Sequence, residues 1–406
     1  MTSEHVAVVD LGYGDAGKGT VVDALCGDGG VRAVLRFNGG AQAAHNVVAP
    51  DGRHHTFAQF GSGTFAGVPT HLTRFVVVDP LALAAEAASL GNPFHLLTID
   101  ADALLVTPWH RAANQVRERR RGGGRHGSCG MGIGQTMEYA LSNADAPRAA
   151  DVRSAALRLK LAAVRDRLVA AFGPLDAPPL DDVVAAFRAF GAAVSIVDAS
   201  YTAKLLREGR CVFEGAQGVL LDEWRGWHPY TTWSTTTFDN VAELCDSFER
   251  LGVVRTYTTR HGAGPFVTEA PLDLPEAHNG VGQWQGAFRV GHFDAVAHRY
   301  AVEVAGGVDA LAVTHLDAPS RCPALRICTS YDVADRLEPG PFRDLAYQRE
   351  LTALVSRAEP AALHRPASFV DDIADLLGAP VRLESWGPNR TGKRFRTAVR
   401  VPAPAR

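Results

Sequence analysis

VVDLGYGDAGKGTVVDAL, residues Val8 to Leu25, joins an apolar run to an apolar segment through a glycine-rich turn. Val6 to Val9 reads as a strand, the glycine-rich turn as a loop and the segment after it as a helix. Gly12, four residues, then Gly17-Lys18 nearly reproduces a phosphate-cradling loop. In such a loop the glycines (here Gly14, Gly17 and Gly19) let backbone N–H groups approach phosphate oxygens, and the lysine neutralises charge. Gly19 stands where Ser or Thr ordinarily holds Mg²⁺. Asp15 instead places a carboxylate inside the loop, where it would repel phosphate unless it has a task. Metal ligation and proton abstraction are the two that suit it.

The bulk composition narrows the field by exclusion. A chain of 406 residues, 46% hydrophobic, can bury a large core. A net charge of −3 gives no reason to expect a nucleic-acid or membrane partner. Neither a signal peptide nor a long apolar run is evident. The six cysteines have no CxxC spacing, which fits reduced thiols in a cytoplasmic protein better than disulfides or zinc.

Short apolar runs alternate with amphipathic stretches. This predicts an α/β fold with a mainly parallel central sheet flanked by helices, carrying inserted loops and small subdomains within one domain, 1–406. The strand candidates are Val6 to Val9, Ala33 to Phe37, Phe75 to Val78, Cys211 to Phe213, Leu311 to Thr314 and Val381 to Ser385. The helix candidates are Leu81 to Leu90, Val152 to Phe172, Leu180 to Phe190 and Asp294 to Ala305. Arg117 to Gly134, rich in Arg and Gly, reads as a mobile loop over the site, and the tail after Val401 as frayed.

Further segments carry chemistry. RFNGGAQAAHNVV (Arg36 to Val48) places Gln42 and His45 after a strand end, where α/β sheets bind ligands. A lone histidine is more often packed than catalytic; one β-α unit past a phosphate loop, the odds reverse. FEGAQGVLLD (Phe213 to Asp222) repeats the pattern with Gln217 in a small-residue turn. PYTTWSTTT (Pro229 to Thr237) offers hydroxyls, Thr232 among them, to a phosphate or sugar, or is a Thr-rich edge strand. TTRHGAGPF (Thr258 to Phe266) supplies Arg260 as a candidate anion ligand. Thr314-His315-Leu316-Asp317 has the shape of the [NT]-K-x-D run that reads guanine, with His in place of Lys. SWGPNRTGK (Ser385 to Lys393) is a loop of turn formers.

In combination and order these segments resemble the adenylosuccinate synthetase family over most of the chain. The matches are GDAGKG (family GDEGKG), GGAQAAH (family GGHNAGH), FEGAQG, PYTT, YTTRHGAGPF, DAVAHRYAV, THLD (family TKLD) and SWGPNRT (family S-x-GPDRT). The resemblance implies a P-loop NTPase-like fold and a ligase acting in two steps. GTP phosphorylates the 6-oxygen of a hypoxanthine ring, and the amino group of aspartate then displaces the phosphate. It also implies roles for residues. Asp15 would remove the ring N1 proton and ligate Mg²⁺, with the carbonyl of Ala44 on the same metal. His45 would act as general acid, Lys18 would neutralise phosphate, and Gln217 would hold the 6-oxygen. Thr314, Asp317, Ser385, Gly387 and Pro388 would take the guanine. The family is homodimeric, its partners being GTP, an IMP-like purine nucleotide and an amino-acid amine donor.

Departures from the family gather at the two acceptor sites. Its amino-acid loop TTGRxRRxGWLD becomes WQGAFRVGHFD (Trp284 to Asp294), leaving Arg289 alone of an arginine cluster. One bidentate contact fewer forfeits about 1.5–3 kcal/mol, roughly ten- to hundredfold in affinity. The phosphate-binding TTGRGIG becomes SCGMGIG, with Ser128 and Cys129 at its start. The interface segment KVARRG becomes Ala140 to Asp145, losing an arginine. Gln42 replaces an asparagine beside the base. Either the acceptor sites found compensating contacts, or the purine or the amine differs.

Overall fold

A computed structural model describes residues 5–396 apart from Pro275, Ala277 and His278; the tail after Val401 lies outside the described residues. Its centre is a ten-stranded sheet. From one edge the order is Lys393–Phe395, Val381–Ser385, Ala310–Thr314, Phe248–Arg255, His5–Asp10, Arg210–Glu214, Val31–Arg36, Thr70–Leu72, Leu97–Asp100 and Ser195–Val197. Every pairing is parallel except that of the edge strand Lys393–Phe395.

Strands covered on both faces must be apolar on both, which is why Val6 to Val9 reads as an unbroken apolar run. Each of its residues is buried. His5–Asp10 lies between Arg210–Glu214 and Phe248–Arg255, so chain order reverses beside it. Such a switch point opens a crevice at the carboxyl ends of the strands. Asp10, Arg36, Glu214, Arg255, Thr314 and Ser385 are the last residues of six of these strands.

The helix after the phosphate loop, Lys18–Gly27, is buried along its length from Lys18 to Cys26, wedged between the sheet and the hairpin His45–Val48/His54–Phe57. Its polar residues are tied down: Thr20 Oγ1 donates to the Pro388 carbonyl at 2.8 Å, and Asp23 accepts a fork from Arg390 at 3.0 and 2.8 Å. Gly19 has a specific reason to be glycine. A Cβ there would sit 2.9 Å from the Cβ of His45 and 3.1 Å from the Asn46 carbonyl oxygen. The hydroxyl of an ordinary phosphate loop is missing because another strand occupies its space.

Several sequence expectations need adjusting. Of Phe75 to Val78 only Val77–Val78 is strand, because Thr73 and Val76 close a turn first. The helix expected from Val152 begins at Leu157; Ala149–Arg153 is a 3₁₀ turn, and Ser154 is extended. Pro108–Arg121 is helical and the next helix starts at Ile133, so the loop of Arg117 to Gly134 contracts to its middle. Pro229 to Thr237 forms no strand, since its hydroxyls and amides bind neighbouring turns: Thr236 Oγ1 to the Gly218 carbonyl, and Thr232 N–H to the Leu221 carbonyl. The central strand Phe248–Arg255 was not foreseen.

Candidate active site

A cavity of about 860 Å³ opens along the carboxyl edge of the sheet. Every site residue expected from the sequence lines it except Arg289. The phosphate loop is organised by a residue the sequence reading passed over. Asp10 accepts from the N–H groups of Gly12 (2.8 Å), Gly14 (3.3 Å) and Ala16 (2.8 Å), and from Lys18 Nζ at 3.2 Å. It is the buried acid at the end of an apolar strand, immediately before the glycines, and that position was its signal. Lys18 also donates to the Gln217 carbonyl at 2.6 Å.

Asp15 and Gln217 both adopt left-handed backbone, with φ of 59° and 56°. Non-glycine residues take this conformation at a cost, and such strain concentrates at functional sites. Arg255 Nη1 holds the carbonyl of Asp15 at 3.0 Å, while His261 Nε2 lies 3.4 Å from its carboxylate. Burial pushes the Asp15 carboxyl up, and His261, Lys18 and Arg255 pull it back.

His45 Nδ1 is 2.6 Å from Glu214 Oε1, and Ser62 donates its N–H (2.9 Å) and its hydroxyl to the same carboxylate. Burial pushes His45 down to about 4, against the pull of Glu214. Burial would raise Glu214, but His45, Arg36 and the Ser62 hydroxyl outweigh it and hold the acid at about 2. At neutral pH the pair is therefore a carboxylate accepting from a neutral imidazole. That fixes the Nδ1–H tautomer and leaves Nε2 free.

Three amide atoms have no partner among the described residues: both polar atoms of Gln42, and Oε1 of Gln217, are buried and unbonded. Orphaned buried polar atoms cost stability unless something binds them. Both side chains belong to the cavity wall.

At the other end Thr314 Oγ1 donates to the Ala16 carbonyl at 2.7 Å, joining the end of the strand Ala310–Thr314 to the glycine-rich loop. The Leu316 N–H binds the Ser385 carbonyl at 3.0 Å, and Lys393 Nζ donates to the carbonyls of Gly387 (2.5 Å) and Asn389 (3.0 Å). Burial pushes His315 well below the usual histidine range, with Arg255, Lys393 and Arg321 acting in the same direction. His315 therefore brings no charge in place of the lysine.

The acceptor side requires corrections. Arg289 does not reach the cavity: it pairs with Glu269 at 2.7 Å and donates to the Gly264 carbonyl at 2.8 Å, stacked on Phe266. Arg260 lines the cavity, but its guanidinium donates to the carbonyls of Ala263, Pro265 and Tyr230 and lies 4.3 Å above the Tyr13 ring. It braces its own loop. Ser128 exchanges hydrogen bonds with Asn114 (2.9 and 3.1 Å), and burial raises the neighbouring Cys129 thiol. Asp145 is paired with Arg167 at 3.2 Å.

A glycine-rich loop around a lysine, an acid in that loop and a histidine–glutamate pair, all at the switch point of a parallel sheet, define an enzyme that spends a nucleoside triphosphate. Comparison with known proteins names the family. The family model described as adenylosuccinate synthetase matches residues 7–393. The adenylosuccinate synthetase of Myxococcus xanthus is 32% identical over 428 residues, covering 95% of this chain and 97% of its own. That of Synechococcus sp. (strain WH7803) is 31% identical over 442 residues, covering 95% of each. Among solved structures, fully ligated adenylosuccinate synthetase from Plasmodium falciparum matches with a TM-score of 0.86 at 21% identity, over 97% of this chain and 100% of that one. Succinoaminodeoxyadenylate synthetase of cyanophage S-2L, bound to dGMP and to dATP as an energy donor, matches with a TM-score of 0.64 at 20% identity, over 97% and 96%. The chain belongs to the adenylosuccinate synthetase family and is a GTP-dependent ligase.

Proposed function

We propose that this ligase activates the 6-oxygen of a purine by phosphorylation and couples C6 to an amine, with IMP and L-aspartate as the default pair. The observation that carries the reading is the placement of the unpartnered Gln42 amide and Gln217 Oε1 in one cavity with Asp15, Lys18 and His45. A lactam carbonyl is a poor nucleophile until its ring N–H is removed. Asp15, raised by burial and inside the phosphate loop, takes that proton. Gln217 holds the 6-oxygen by donating its amide Nε2–H. His45 presents Nε2 to the transferring group while Glu214 holds its other nitrogen; negative charge arriving there favours the protonated ring, which then stabilises the oxyanion. Lys18 neutralises phosphate charge.

Mg²⁺ fits the donor set. The Asp15 carboxylate and the Ala44 carbonyl are hard oxygen ligands, and the described residues hold no cluster of three His, Cys, Asp or Glu that would bind a metal without the nucleotide's oxygens. When bound, the ion would screen the triphosphate charge. We place the enzyme in the cytoplasm as a homodimer of single-domain subunits, by family expectation. The described cysteines are all unpaired, and no helix of the described residues is long and apolar enough to cross a membrane.

A second reading keeps the mechanism and changes the acceptor or the amine. It is favoured by Arg289, which is committed to Glu269 away from the cavity, and by the segment Ala140 to Asp145, which lacks the expected arginine and carries Asp145 paired with Arg167. A coupled assay for GDP release with Mg²⁺-GTP, IMP and aspartate, omitting each acceptor in turn, separates the readings. Release dependent on both, with a product of adenylosuccinate mass, supports the default pair. No turnover with GTP still bound moves the search to other purines, dGMP-like ones included, and to other amines. Asp15→Asn should abolish turnover while sparing triphosphate binding; full activity would overturn the mechanism.

A further inference from the structure

Asp317 follows the strand Ala310–Thr314 and precedes the short helix Ala318–Arg321. Arg321 Nη2 lies 2.7 Å from Asp317 Oδ2, and both side chains are part-exposed in the wall of the cavity that holds Ser385, Gly387 and Pro388. A solvent-facing ion pair one helical turn apart contributes little to stability by itself. The surrounding loop, by contrast, is held firmly by Thr20, Leu316 and Lys393. The pair is thus a polar edge presented by a fixed frame.

Its chemistry has a direction. A carboxylate only accepts hydrogen bonds and a guanidinium only donates them. Side by side they offer acceptor, acceptor, donor. The edge of guanine offers N2–H donor, N1–H donor, O6 acceptor, which is the complement. In the same register adenine would set its N1 lone pair against the carboxylate and its N6 amino group against the guanidinium, a mismatch at both positions. Asp317 can serve Arg321 and guanine together, because a carboxylate has about four lone-pair sites. His315, neutral through burial, supplies no cation to the 6-oxygen, and Arg321 is a cation of the same wall.

We propose that Arg321 is a specificity-determining residue of the triphosphate site, donating to O6 of guanine while Asp317 accepts from N1 and N2. This rests on the reading of the pocket at Asp317 and Ser385 as the base subsite. The test measures kcat and KM for GTP, ITP and ATP in the wild type and in Arg321→Ala, Arg321→Lys and Asp317→Ala. Losing a charge-assisted hydrogen bond to O6 should raise KM about tenfold or more in Arg321→Ala. The rise should be equal for GTP and ITP, which share O6. KM for ATP should hold or fall, since no guanidinium then opposes the N6 amino group, acceptor KM should stay within about twofold, and kcat should be retained; Arg321→Lys should recover part of the loss. ATP use serves as the internal control for folding.

Three outcomes overturn the proposal. In one, the GTP-to-ATP preference of Arg321→Ala stays within twofold of the wild type while Asp317→Ala collapses it; Asp317 then reads guanine alone. In another, KM for GTP falls in Arg321→Ala, so the guanidinium only competes with the base. In the third, Asp317→Ala also leaves the preference unchanged, and the base-subsite reading fails with the proposal.

Discussion

The Nδ1 of His45 meets Glu214 Oε1 at 2.6 Å, across elements 169 residues apart in sequence. Glu214 is fully buried and accepts two further hydrogen bonds, both from Ser62. The carboxylate therefore orients the imidazole rather than meeting substrate. Glu214→Gln keeps the shape but removes the charge, and its amide can donate to Nδ1 and reverse the tautomer. We expect kcat to fall by about a hundredfold or more, with KM for GTP within about threefold. Residues acting as a unit are not additive, so Glu214→Gln added to His45→Gln should cost almost nothing further. A fully additive double variant in steady-state kinetics would refute the pairing.

Asp10 should matter for both folding and nucleotide grip. It faces the buried Lys18 ammonium and three loop N–H groups. Asp10→Asn strands that charge, and breaking a buried pair costs about 3–5 kcal/mol. A lowered Tm and a raised KM for GTP should appear together, by thermal denaturation and by kinetics. A Tm unchanged within a degree would contradict the buried pair.

Gln42→Leu separates stability from function. The amide is buried and unbonded without substrate, so an apolar replacement of similar size should leave the free enzyme unchanged or more stable by ~1 kcal/mol. The purine KM should rise tenfold or more while the GTP KM holds. A purine KM equal to wild type would remove Gln42 from the acceptor site.

Acid should destabilise the fold before the carboxylates titrate in bulk. Burial holds His71 and His45 down to about 4 and His110 down to about 3. Below about pH 6.5 the unfolded chain binds protons that the folded chain refuses, so stability falls as pH drops. For His71 alone, with Thr98 and Thr202 on its two nitrogens, the loss reaches about 3 kcal/mol by pH 4. Tm measured from pH 8 to 4 should decline through this window, and His71→Gln should flatten the curve. A level Tm down to pH 4.5 would rule this out.

Much of the architecture could be read from runs such as Val6 to Val9, because strands covered on both faces have no room for polar side chains. Phe248–Arg255 escaped notice because its first half reads as charged. Glu249 is neutralised by Arg382, and the Arg250 guanidinium reaches the Gly306 carbonyl, partners distant in sequence. The cavity-lining residues were legible because glycine-rich turns mark strand ends. Arg289 misled because residue type records charge but not its partner, and Glu269 had claimed it. Asp10 and the tie between Glu214 and His45 depend on contacts no local pattern encodes.

The close approach of Gly19 to His45 has a consequence for anyone redesigning this enzyme. With no space for a single added carbon between them, the backbone of the glycine-rich loop and the aim of the imidazole share one point of contact. Restoring the customary hydroxyl at position 19 would push the His45 ring off its line, so one cannot be adjusted without retuning the other.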